Sequence, residues 1–113
     1  MKTERFNNVI RNTLDRCTTT LVVKANEYAT DDRLHNFKVA AEIQNCTPMT
    51  ALAGMMAKHT VSVYDLIQRQ ENGHVVPEAL WNEKIIDSIN YLLKSNTLKL
   101  IGFLLFFKHD LIR

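Results

Sequence analysis

Apolar residues in this chain recur at the spacing of an α-helix, and that period limits the fold more than any other feature. Phe6, Val9, Ile10, Leu14, Cys17, Leu21 and Tyr28 fall on one arc when successive residues are set 100° apart. A strand cannot use such a stripe, because its side chains alternate between two faces with a period of two. The first helix therefore spans about residues 4 to 28. Thr30-Asp31-Asp32 breaks it and offers N-cap side chains to a shorter second helix, whose apolar side holds Leu34, Phe37 and Ala41. Asn45-Cys46-Thr47-Pro48 ends that helix. Thr47 as N-cap and Pro48 at the first helical position then start a third. The third helix runs to about Gln70 and turns Leu52, Met55, Met56, Val63, Leu66 and Ile67 inward. After the loop Glu71-Asn72-Gly73-His74, Pro77 opens a fourth helix carrying Trp81, Ile85, Ile89, Leu92 and Leu93, and Ser95-Asn96 reads as a turn. The expectation is an all-α protein: a four-helix bundle over residues 1–96, with an apolar, basic C-terminal segment over 97–113 that packs on the bundle or on a partner subunit.

Composition narrows the function classes. With 113 residues there is room for one domain, and 46% hydrophobic with 23% charged residues is ordinary for a globular chain. Two Cys cannot form a disulfide framework, and no basic, apolar leader opens the chain, so reduced thiols and a cytoplasmic location are expected. The longest apolar run, residues 100–107, is far short of the roughly 20 residues of a membrane span. The net charge of +2 hides an asymmetry: residues 1–93 hold ten Lys/Arg against eleven Asp/Glu, whereas Lys94, Lys99, Lys108 and Arg113 face Asp110 alone. A neutral body without a basic stripe and interleaved aromatics does not point to a nucleic-acid partner.

The informative residues are polar groups at positions that the helical period assigns to the interior. Lys24 continues the arc of the first helix between Thr13, Cys17 and Tyr28, with Glu27 at its edge. Lys24 can snorkel its ammonium past the end of the bundle, or it can serve a site. His59 lies within the apolar arc of the third helix, either as a satisfied core imidazole or as a functional one, with Lys58, Ser62 and Asp65 beside it. The fourth helix carries Glu83, Asp87, Asn90 and Lys94 in a stripe about 60° wide. Such a stripe is commonly a solvated face. However, Glu83 and Asp87 are like charges at i, i+4, which destabilise an exposed helix by a few tenths of a kcal/mol. A divalent cation between them would reverse that sign, and carboxylates with an amide are oxygen ligands of the kind Mg²⁺ takes. Zinc-ligand spacing, a Gly-rich phosphate loop and a nucleophilic Cys neighbourhood are all missing from the pattern.

Lys24-x-x-Glu27-Tyr28, Asn36-Phe37, Met55-x-x-Lys58 and Glu83-x-x-x-Asp87-x-x-Asn90-Tyr91, taken in order over about residues 20–93, resemble the small phage and prophage proteins of the all-α nucleotide pyrophosphohydrolase (MazG-like) group, in its branch linked to nucleotide modification. The resemblance implies a helical bundle, usually a dimer or tetramer, that uses Mg²⁺ (or Mn²⁺) to cleave a nucleoside triphosphate into a monophosphate and pyrophosphate. It implies Glu27, Glu83 and Asp87 as catalytic metal ligands with Asn90 as an accessory, and Lys24 and Lys58 as the groups that neutralise phosphate charge. The metal would activate the attacking water. Tyr28, Arg33, His35, Asn36, Phe37 and Asn90 would hold the nucleotide. Two departures stand out: only Glu27 sits inward on the earlier helix, which supports one metal more easily than two, and the segment after Ser95 matches nothing in the group. The alternative is a non-catalytic bundle that binds a nucleotide or docks on a host protein, as phage-encoded inhibitors do. Leu98, Ile101, Leu104, Leu105 and Phe106 are too many large apolar groups to leave in water, which leads to the expectation of a homo-oligomer with residues 98–107 in its interface.

Overall fold

The computed structural model describes the backbone of residues 1–25 and 31–112, and side-chain surroundings for residues 1–23 and 31–102. Four α-helices follow one another: α1 (Thr3–Ala25), α2 (His35–Gln44), α3 (Pro48–Glu71) and α4 (Glu78–Ile112). No strand occurs among the described residues.

The helix boundaries follow local chemistry. The Thr47 side chain accepts a hydrogen bond from the Thr50 amide at 3.2 Å, and Pro48 occupies the first helical position, where its missing N–H leaves no bond unmade. At the end of α2, Asn45 takes the left-handed conformation (φ 54°), and its amide bonds back to the helix. Gly73 has φ 86°, a geometry that strains any side-chain-bearing residue, and it turns the chain between α3 and α4. The start of α2 differs from the expected N-cap. Its cap position is Leu34 with no side-chain bond, while Asp32 accepts from the Leu34 amide at 3.0 Å and pairs with Lys38 at 2.6 Å. Asp32 thus fixes the turn ahead of the helix (Thr30 lies outside the described residues).

The main correction concerns the C-terminal third. No turn forms at Ser95-Asn96, and α4 runs unbroken for 35 residues. Neither Ser nor Asn breaks a helix by itself. The Ser95 and Thr97 hydroxyls bond back to the Leu92 and Lys94 carbonyls within the helix. Leu98, expected at an interface, is 5% exposed and completes the core of its own chain with Phe37 and Leu52. Leu34, Met55, Met56 and Tyr91 pack around that trio. Leu100 and Ile101 remain exposed, and the side chains of Leu104, Leu105 and Phe106 lie outside the described residues.

α3 and α4 form the main antiparallel pair: the Trp81 indole donates to Gln70 at one end, and Leu52 meets Leu98 at the other. α2 covers α3, and α1 lies on α4. α1 is the weakly seated helix. Cys17 is 1% exposed, yet Phe6, Val9, Ile10 and Leu14 are each about half exposed. Among its described residues, the stripe read from sequence is buried at Cys17 and half exposed from Phe6 to Leu14.

Candidate functional site

Asp87, Asn90, Tyr91 and Lys94 occupy successive turns of α4 where α1, α2 and α3 approach it. Spacings of three and four residues keep them on adjoining faces of one helix. α3 contributes His59. Its Nδ1 lies 3.8 Å from Asp87 Oδ2, and both side chains are about one-fifth exposed. That separation is too long for a hydrogen bond. The His59 ring stacks on Tyr91 at 4.6 Å and 29°, while Phe37 of α2 meets Tyr91 edge-on at 6.4 Å. Lys94 places its ammonium 4.8 Å from the centre of the Tyr91 ring, a cation–π contact worth about 0.5–1 kcal/mol. The imidazole, phenol ring and ammonium therefore lie against one another beside a half-buried carboxylate.

Asn90 is the buried polar residue of this region, at 4% exposure. Its amide nitrogen donates 3.3 Å to the Cys17 carbonyl of α1, which fixes the orientation of the side chain, and its Oδ1 is buried without a hydrogen-bond partner. A buried acceptor left unpaired costs about 1–3 kcal/mol, so it calls for a reason. Cys17, directly beneath, has its thiol pKa raised by burial, which makes it a poor nucleophile.

The other residues read from sequence distribute unevenly. Glu83 is exposed, one turn before Asp87 on the same side of α4. Lys58 is exposed beside His59, and Arg33, His35 and Asn36 are exposed around the start of α2. Arg33 and Lys94 border a cavity of about 180 Å³ whose floor is Leu21, Leu34 and Leu93. That is smaller than the roughly 300–1,000 Å³ of a site that encloses an organic ligand. Phe37, expected at the nucleotide, is 4% exposed and packs in the core against Leu52 and Leu98. Glu27, Tyr28 and the side chain of Lys24 lie outside the described residues. Among the described residues, no three His, Cys, Asp or Glu side chains converge on a metal position. The Asp87 carboxylate and the unpaired Asn90 Oδ1 belong to residues one helical turn apart on α4.

The coupling of His59 to Asp87 and Tyr91 was not readable as a pairing. The helical period places each residue on its helix, but the axial offset of α3 against α4 decides which residues face each other. No helix is long and apolar enough to cross a membrane among the described residues. Comparison of the chain with protein-family models, with curated proteins and with solved structures finds no match.

Proposed function

We propose that the chain is a Mg²⁺-dependent nucleotide pyrophosphohydrolase-like phage or prophage protein, acting on a nucleoside triphosphate to give a monophosphate and pyrophosphate. The observation that supports this reading is the buried Asn90 Oδ1, unpaired and one turn from the half-buried Asp87. Oxygen donors of this kind gain from a hard cation what the fold itself withholds. Glu83, on the same side of α4, would add a third oxygen from the solvent edge. A divalent cation held there supplies charge neutralisation at the phosphates and activation of water. The chain's own residues do the rest. Asn90 stays oriented through its bond to Cys17, His59 stands 3.8 Å from Asp87, and Lys58 with Lys94 offers positive charge toward polyphosphate. Glu27 and Lys24 complete the set implied by the resemblance.

The test is a thermal-shift titration with Mg²⁺ and Mn²⁺, with and without a panel of nucleoside triphosphates, followed by an assay for released pyrophosphate. Asp87→Asn and Glu83→Gln should abolish the metal-dependent rise in melting temperature while the apo protein stays folded, since a like-charge pair is relieved. If both variants unfold the protein, the residues are structural and the hydrolase reading fails. A second reading, a non-catalytic docking protein, draws support from the half-exposed apolar stripe of α1. It predicts no pyrophosphate release from any triphosphate.

A further inference from the structure

The candidate site makes no use of the last stretch of α4. Pro48, where α3 begins, lines one cleft with Leu98, Ile101 and Gly102 of α4. Because α3 and α4 run antiparallel, α3 has reached its end there, while the α4 backbone stays helical to Ile112. At a rise of about 1.5 Å per residue, residues 103–112 carry α4 about 15 Å past that cleft.

The sequence Leu100-Ile101-Gly102-Phe103-Leu104-Leu105-Phe106-Phe107 holds no polar side chain, and as helix it makes more than two turns. Every face of α4 is therefore apolar over about 12 Å. Charged residues bracket the segment: Lys99 before it, and Lys108 and Arg113 after it, against Asp110 alone. Leu100 is 55% exposed. Met49 in the first turn of α3 and Ile43 in the last turn of α2 are exposed as well, so this end of the bundle shows apolar side chains near the base of the extension.

We propose that this end of the molecule attaches to an anionic lipid surface, with residues 100–107 of α4 lying in the plane of the interface. Three observations favour lipid. The first is apolarity on every face. A groove on a protein covers one face of a docked helix and leaves the other in water, which is why docking helices carry a stripe, whereas acyl chains close around a helix from all sides. The second is length. About 12 Å is far less than the roughly 30 Å of a hydrocarbon core, and end-on entry would drag Lys108, Asp110 and Arg113 into it. A segment lying flat keeps both charged ends among the headgroups. The third is charge: residues 1–93 are close to neutral, while the residues bracketing the apolar segment are mainly cationic, which complements anionic headgroups.

The proposal does not depend on the nucleotide reading, and the two tests separate: pyrophosphate release can fail with lipid attachment intact. The full chain is floated on a density gradient with vesicles of phosphatidylcholine alone or mixed equally with phosphatidylglycerol. It should rise with the mixed vesicles, and less with the neutral ones. Leu104→Asp should lower partitioning about tenfold or more, while Val61→Asp, exposed on α3, should leave it unchanged. Leu104→Trp adds a fluorophore to the segment that brominated lipid should quench. The native Trp81, near the other end of α4 beside Gln70, should stay unquenched in the parent chain. The proposal is overturned if the parent does not float, if it floats equally with both vesicle types, if Leu104→Asp floats as well as the parent, or if Trp81 alone is quenched. A parent that ignores vesicles and buries the segment in a second copy or a host protein belongs to the first of these outcomes.

Discussion

Replacing Asn90 with Leu should stabilise the protein, and the amount can be worked from three effects. The substitution removes the bond from the Asn90 amide to the Cys17 carbonyl, a loss of about 1 kcal/mol. The Cys17 carbonyl itself lies inside α1 and keeps its helical partner, so no orphan is left behind. Against that loss stands relief of the buried, unpaired Oδ1, about 1–3 kcal/mol, and the added burial of apolar carbon at a position 4% exposed. The extra volume of Leu takes back part of the gain through tighter packing. The net expectation is a gain of about 1 kcal/mol, or about 4–8 °C in melting temperature for a domain near this size. Urea unfolding followed by circular dichroism measures it directly, with an unchanged m-value as the check that only stability moved. The same variant should lose any Mg²⁺-dependent stabilisation. A stability gain coupled to loss of the metal response marks a residue held for function. A variant less stable than the parent by more than 1 kcal/mol would falsify the argument, because Asn90 would then be acting mainly as the clamp between α1 and α4.

Three further outcomes test the fold. Leu52→Ala, at a side chain 1% exposed between Phe37 and Leu98, should cost about 2–5 kcal/mol in the same unfolding assay. The Asp32 carboxyl is held below its ordinary value near 3.8 by the Lys38 hydrogen bond and then by the Leu34 amide. A depressed acid stabilises fully above the unfolded value and loses that effect as pH falls through the folded one, so acid titration from pH 5 downward should show a step that Asp32→Asn lacks. Burial raises the Cys17 thiol, so iodoacetamide followed by mass spectrometry should modify the half-buried Cys46 first, with Cys17 reacting only at higher pH or on unfolding.

What the sequence determined by itself is the set of helices and most of their ends. Period and capping are local: Thr47 with Pro48 starts α3 in the structure as in the sequence, and Asn45 ends α2 because a left-handed residue there needs Asn or Gly. The stripe from Phe6 to Leu21 was equally visible. Tertiary structure decided how each stripe is used. Leu98 looked like surplus apolar surface after a turn, but α4 continues through Ser95-Asn96 because Leu98 gains burial against Phe37 and Leu52, a distant contact that no local signal reports. The same packing buries the Phe37 ring. It brings His59 opposite Asp87 and Tyr91, a match set by the offset between α3 and α4 rather than by either sequence segment. Asn90 joins both levels. Its place on the polar stripe with Glu83, Asp87 and Lys94 was legible from spacing, whereas its burial and its unpaired oxygen arise only where α1 crosses α4 and offers it a carbonyl on one side and nothing on the other.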